Sequence, residues 1–173
     1  MTVTTTSQPR ILIRAIVPSD QAALERFYAE LSVDSRAARF LGVGTVGSGT
    51  AARFCHADHR HRQGLVAEVA SDDERWRIVG HACLEPANGG DIEFAVAVAD
   101  DWHHHGVGRA LLEAAVAWAR RQGVGRLVAS TRWSNVAMLG LLRSSGHPIR
   151  LGADDAGVVD IFMDVAEELP RAA

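Results

Sequence analysis

A strand that runs through a short turn into a glycine-opened helix constrains this chain more than any other part of it. The segment is Asp91–Leu112, DIEFAVAVADDWHHHGVGRALL. Side chains alternate faces along a strand, so Ile92, Phe94, Val96 and Val98 share one face, and Glu93, Ala95 and Ala97 share the other. The first is a core face. The second is a floor of alanines with one carboxylate at its end, and small side chains there leave room for another group to lie against the strand. Behind the strand, Gly106-Val107-Gly108 opens a helix whose apolar residues Val107, Leu111, Leu112, Ala115, Val116 and Ala119 fall on one face. Glycines let backbone N–H groups approach a ligand closely, and the free N–H groups and dipole of a helix start favour a phosphate. A tight strand-to-helix turn with no ligand satisfies the same spacing. The dinucleotide-binding fingerprint is not met, because it needs a third small residue where Leu111 stands.

The flanking sequence sets the fold class. Arg10–Val17 is a β-branched run, which Pro18-Ser19-Asp20 stops while capping a helix. Leu24, Phe27, Tyr28 and Leu31 recur at helical spacing, so Gln21–Leu31 is amphipathic, and Asp34–Phe40 and Ala51–Ala57 are shorter helices around the loop Gly42–Gly49. Gly64–Val69 and Trp76–Leu84 form a hairpin across Ser71–Glu74, and Pro86–Gly90 turns into the strand Asp91–Ala99. Beyond the long helix come a strand at Gly125–Ser130, a helix at Asn135–Ser145, and strands at Ile149–Leu151 and Val158–Val165. This order predicts a mixed α/β (α+β) domain: an antiparallel stretch followed by a βαβ unit, with a mostly antiparallel sheet of six to seven strands flanked by helices. One domain over 10–165 is expected, with tails at 1–9 and 166–173.

Composition excludes several functions. With 173 residues and a net charge of −3, no global basic field draws nucleic acid or anionic lipid. No apolar run is long enough to span a bilayer, and Met1–Pro9 lacks the basic and apolar blocks of a signal peptide. Two cysteines, Cys55 and Cys83, make no disulfide framework, so free thiols in a reducing cytoplasm are expected. All 18 basic residues are arginine, so no lysine serves as nucleophile, Schiff base or P-loop residue. Cys55-His56-x-x-His59-x-His61 matches no standard zinc spacing, and no metal is expected. His103-His104-His105 is contiguous, so its rings cannot all face one ion from a regular element. Cys83 reads as a small buried hydrophobe, Trp76, Trp118 and Trp133 as packing residues, and Trp102 as a brace for the turn.

Several motifs, in order and spacing over Ile11–Val165, carry a resemblance to a known family. They are IRAIVPSD (Ile13–Asp20), Ser35-Arg36-x-x-Arg39-Phe40, Asp58-His59-Arg60, EFAVAVADDW (Glu93–Trp102), Gly106-x-Gly108, and Asn135 with Met138-Leu139. The chain resembles a GNAT-superfamily N-acetyltransferase, and within that superfamily the domain of bacterial Pat-type protein lysine acetyltransferases. The resemblance implies a mixed sheet splayed between its fourth and fifth strands to admit acetyl-CoA, and transfer of an acetyl group to a primary amine, a protein lysine being the expected acceptor. It implies that Glu93 is the general base and that the backbone at Val96 and Val98 bonds the pantetheine arm. It places the pyrophosphate loop at His103, His104, His105, Gly106, Val107, Gly108 and Arg109, and Asn135 beside CoA. It also places Asp58-His59-Arg60 near the acceptor groove. His103 stands where Gln or Arg is usual and His105 where Arg or Lys is common. Leu141 and Leu142 occupy the stretch in which many relatives carry a general-acid tyrosine.

The chemistry such a site performs is acyl transfer. An alkylamine with a pKa near 10.4 must lose a proton before it attacks a thioester at neutral pH. A carboxylate standing among small apolar side chains can accept that proton directly or through water. Backbone N–H groups around Val96 can polarise the thioester carbonyl. Two alternatives share the fold: a non-catalytic acyl-CoA-binding or regulatory module, and an acetyltransferase of a small-molecule amine.

Overall fold

The expected alternation of β-branched runs and amphipathic segments folds, in the computed structural model, around one seven-stranded sheet; the structure describes residues 10–41, 47–70 and 76–166. The strands are β1 (Ile11–Ala15), β2 (Gln63–Ala70), β3 (Trp76–Pro86), β4 (Ile92–Val98), β5 (Arg126–Arg132), β6 (Ile149–Asp155) and β7 (Val158–Asp164). The helices are α1 (Gln21–Glu30), α2 (Val33–Phe40), α3 (Ser48–Cys55), α4 (Val107–Arg121) and α5 (Val136–Arg143). The sheet order is β1-β2-β3-β4-β5-β7-β6. Neighbours pair antiparallel except β4 and β5, which are parallel and joined by the α4 crossover, as the βαβ pattern requires. The tail expected at 1–9, all but the first residue of the tail expected at 166–173, and the hairpin turn at 71–74 lie outside the described residues.

Helix α4 lies on one face of the sheet, against β1 to β5, and α1, α2 and α3 cover the other. The α4 residues at helical spacing are the buried ones: Val107, Leu111, Leu112, Ala115, Val116 and Ala119, with Trp118 beside them. Each such Val or Leu, taken fully out of water, contributes about 1.5–3 kcal/mol. Gly80 on β3 lets α4 sit this close. A Cβ there would stand 2.8 Å from Val107 Cγ1 and 2.9 Å from Leu111 Cδ1. Trp118 is the packing residue expected, whereas Trp76, at the start of β3, and Trp133, just past the end of β5, are exposed.

Asp20 caps the helical stretch one turn ahead of α1, where its carboxylate accepts from the Val17 N–H before the 3-10 turn Pro18–Asp20, and makes no side-chain cap at Gln21 itself. Its carboxylate is claimed by Arg14, whose guanidinium spans Asp20 at 2.7 and 2.8 Å and Glu68 at 2.6 and 2.9 Å, and by the Val17 N–H at 2.8 Å. The Arg14 hydrogen bonds hold Asp20 below the usual carboxylate range against its burial. This knot ties the end of β1 to the entry of α1 and to β2.

Candidate functional site

The parallel ladder between β4 and β5 contains two pairs, Ile92↔Leu127 and Glu93↔Val128, and then stops, although both strands continue. β3 stays paired to β4 up to Val98. The Ala99 N–H donates to the Val79 carbonyl at 2.8 Å, so by alternation the backbone groups of Val98 and Val96 point the other way, toward the departed β5. Val96 and Val98 are only half-buried for the same reason, while Ile92 and Phe94, before the fork, are buried.

Glu93 stands at the fork itself and is exposed. It faces Glu85 across the β3–β4 ladder, and Arg62 holds Glu85 with two hydrogen bonds of 2.6 and 2.8 Å. The alanine floor beyond Glu93 is less open than the sequence suggests. Helix α2 packs on β4, Ala97 is buried beneath it, and Ala95 is half-buried. The Asp100 carboxylate anchors that helix, accepting from the Ser32 N–H at 2.9 Å and from the Ser32 and Ser35 hydroxyls at 2.7 Å. Partial burial works to raise the Asp100 carboxyl, and these serine hydrogen bonds outweigh it and hold it below the usual range. The role of Asp100 was not legible in sequence, because its partners lie more than sixty residues away.

After Val98 the chain makes a 3-10 turn, Asp100–Trp102, and reaches α4 through Gly106 at φ +81°. A positive φ there needs glycine for backbone reasons alone. His104 also adopts a positive φ, 63°. The His103 Nε2 lies 3.1 Å from the Val98 carbonyl oxygen and the His105 Nδ1 2.8 Å from the His103 carbonyl oxygen. Trp102 lies 5.4 Å from the His105 ring, as a brace would. Val107 is buried in the core, Gly108 packs near Leu141, and Arg109 pairs with Glu113 at 2.9 Å on the exposed face of α4. This loop and the β4–β5 fork therefore occur consecutively along one stretch of chain. Asn135 caps α5, its Oδ1 accepting from the Met138 N–H at 3.1 Å, at the end of the diverged β5.

The Asp58-His59-Arg60 run is tied into local contacts. The Asp58 carboxylate accepts from the backbone N–H groups of Arg62, Arg60 and His61, which push its pKa far below the usual range, so it is a poor base. His59 contacts Gln63 at 2.6 Å, His61 contacts Asp58, and Cys55 is a buried free thiol, each directed to a different partner. Among the described residues no group of three or more His, Cys, Asp or Glu side chains is arranged to hold a metal ion, and no helix is long and apolar enough to cross a membrane. Tyr28, the chain's one tyrosine, is buried and lies 2.8 Å from His81 Nδ1. Leu142 is buried and Leu141 half-buried, so α5 presents no acid at the fork from those positions.

Comparison with known proteins gives a consistent result. The profile of the Acetyltransferase (GNAT) family matches residues 25–147. The chain is 38% identical over 97 residues to an L-methionine sulfoximine/L-methionine sulfone acetyltransferase of Pseudomonas aeruginosa, a match covering 53% of this chain and 56% of that protein. The chain thus spans little more than half the length of that relative. The GNAT domain of S. lividans PAT superposes with a TM-score of 0.78 at 26% identity, covering 91% of this chain and 94% of that one. The yncA protein of Salmonella typhimurium, solved with its cofactor acetyl-CoA, superposes with a TM-score of 0.69 at 23% identity, covering 94% of this chain and 98% of that one.

Proposed function

The chain belongs to the acetyltransferase (GNAT) family, and we propose that residues 10–165 form one catalytic domain that transfers the acetyl group of acetyl-CoA to a primary amine, with Glu93 as general base. The observation that carries this reading is the fork. The ladder ends at Glu93, and the backbone of Val96 and Val98 is left facing a gap. The same chain then supplies a glycine-opened helix start within ten residues of Val98. A pantetheine arm would replace the missing ladder partner. The pyrophosphate would lie at the first turn of α4, on backbone N–H groups from Gly106 to Arg109. Asn135 would border CoA from the β5 side.

At the fork the amine loses its proton to Glu93, directly or through one water, and its lone pair attacks the thioester carbon. The oxyanion is stabilised by backbone N–H donors near Val96. The nitrogen releases its second proton to water, and collapse expels the CoA thiolate as the amide forms. No side chain on α5 at Leu141 or Leu142 can protonate the thiolate, so it is protonated by water or leaves unprotonated. The two buried free thiols suit a reducing compartment, and we place the protein in the cytoplasm.

Two acceptors are supported. Similarity to the PAT domain along 91% of the chain favours a protein lysine. Similarity to the methionine sulfoximine acetyltransferase favours a small amino compound. The deciding experiment is thiol release from acetyl-CoA against a panel of proteins and small amines. Because the chain contains no lysine, any acetyl-lysine formed belongs to the acceptor. Saturating acetyl-CoA at 100 times its Kd should stabilise the fold by about 2.7 kcal/mol. A melting curve that acetyl-CoA and CoA leave unmoved would overturn both the enzyme and a CoA-binding module. Tight binding with no turnover on any amine would leave the non-catalytic module.

A further inference from the structure

Arg39, the second arginine of the Ser35–Phe40 motif, projects from α2 onto the sheet face that carries Cys83 and Glu93. Its Nη2 donates to Cys83 Sγ at 2.9 Å, and its guanidinium lies 4.9 Å from the Phe40 ring centre and 5.7 Å from that of Phe54. Its Nε is buried with no hydrogen-bond partner. No ion pair to a carboxylate is made by Arg39 among the described residues.

The groups around this cation are neutral at pH 7. Burial, opposed by Arg39, raises the Cys83 thiol, and burial also raises the Tyr28 hydroxyl. Burial, helped by Arg39, pushes His81 down to about 3. Burial works against the charge of Arg39 itself, and the Glu93 carboxylate works for it. Glu93 is thus the anion that Arg39 senses, without a hydrogen bond between them. Buried charges are ordinarily paired, because an unpaired one is costly and a guanidinium cannot escape by losing its proton. This one has a buried Nε without a hydrogen-bond partner and a side chain that is only half-buried, beside Cys83 on the face of the sheet that carries Glu93.

We infer that the Arg39 guanidinium receives the carboxylate of the acceptor while the acceptor's amine stands at Glu93, so that the site selects free α-amino acids over amines with no adjacent carboxylate. The inference rests on the acetyl-transfer reading and narrows its acceptor to the small amino compounds. A guanidinium and a carboxylate on one side of the fork match the zwitterion of an amino acid in charge and order. Arg39 is a specificity residue here, since the bond that forms and the bond that breaks are at the amine and the thioester.

The test uses matched acceptors: methionine, methioninamide, and a lysine-containing peptide with no acidic neighbour. Acceptor binding to the protein–CoA complex is measured by calorimetry, and kcat/KM by thiol release. Methionine should exceed methioninamide by roughly 10- to 100-fold in both, the worth of charge-assisted hydrogen bonds, although the amide carries the less basic amine. Arg39→Gln should bring the ratio close to one while acetyl-CoA still binds. Arg39→Lys, which keeps the charge without the planar fork, should fall between. Equal handling of methionine and methioninamide by the native protein, or a lysine peptide preferred to both, overturns the inference with no variant needed. An unchanged ratio in an Arg39→Lys protein that binds acetyl-CoA normally also overturns it. Absent turnover with a retained carboxylate preference in binding would instead locate the failure in the acetyl-transfer reading.

Discussion

Glu93 and Val128 are the last paired residues of the parallel ladder between β4 and β5, which sets the carboxylate at the point where the sheet opens. A base placed there meets the acceptor on one side and the cleft on the other. Glu93→Gln should retain acetyl-CoA affinity, since the amide nearly preserves shape and the cofactor contacts are to backbone. Turnover should fall by about 10²–10⁴-fold. The deficit should narrow as pH rises toward the amine pKa, because more of the acceptor then arrives neutral. The check is the pH profile of turnover for both proteins on one amine, and parallel profiles of similar height would move the base away from Glu93.

The histidine turn predicts which rings touch the cofactor. In each ring one nitrogen is held to a backbone carbonyl: Nε2 of His103 against Val98, and Nδ1 of His105 against His103. The other nitrogen of each ring is left to meet a phosphate oxygen. His103→Ala and His105→Ala should each weaken CoA and dephospho-CoA alike by about 2- to 10-fold, the worth of one hydrogen bond. The measurement is the Kd of both ligands in the native protein and in the two variants. Unchanged affinities would direct these rings away from the pyrophosphate.

Gly80 supports the site from beneath. Gly80→Ala forces a methyl against Val107 Cγ1 and Leu111 Cδ1 at the start of α4, and Val107 cannot turn aside because its β-branched side chain is stiff. A loss of about 1–3 kcal/mol in denaturant unfolding is expected, as for other overpacked cores, together with weaker acetyl-CoA binding as α4 lifts. Gly108 behaves differently. A Cβ there meets Leu141 Cδ2 at 3.6 Å and Val98 Cγ2 at 3.7 Å, which are ordinary contacts. Gly108→Ala should thus keep stability and lose cofactor affinity alone. Gly106 is the poorer probe of the loop, because any side chain strains its φ of +81°. Comparable unfolding midpoints for Gly80→Ala and the native protein would refute the packing argument.

His81 makes stability depend on pH. Burial, with Arg39 beside it, lowers its pKa to about 3 from the 6.5 of the free imidazole. Below 6.5 the unfolded chain binds a proton that the folded chain refuses, so the contribution is complete above pH 6.5 and is lost as pH falls toward 3. The slope from this group alone approaches about 1.4 kcal/mol per pH unit. Chemical denaturation between those limits measures it. His81→Phe should flatten the curve over that interval, and an identical slope in the variant would mean that other groups carry the acid sensitivity.

Much of this was legible in the sequence for a physical reason: periodicity records which face of an element is covered. Leu24, Phe27 and Tyr28 on α1, and Val107, Leu111 and Leu112 on α4, fall at helical spacing and are buried. The parallel β4–β5 pair follows from the crossover helix between them. What periodicity cannot record is a polar group's partner across the chain. The alanines of β4 looked like space for a ligand, yet α2 occupies part of it, held by an Asp100–Ser32 contact 68 residues apart in sequence. Asp20 looked like a helix cap and is one, but its pairing with Arg14 could not be read beforehand. Arg39 belonged to a recognisable motif, but only the fold sets it against Cys83 and leaves its Nε without a partner.

A sheet joined in its middle by two residue pairs is, in elastic terms, two plates on a short hinge. β1 to β4 share one continuous ladder, and β5, β7 and β6 share another. Such plates open independently at a lower free energy than the whole unfolds, and amide exchange would resolve β5–β7–β6 as its own cooperative unit. A molecule lying in the fork adds the missing rungs between the plates. Its binding energy then appears as slowed exchange in strands it never touches, and its departure returns the hinge to the protein.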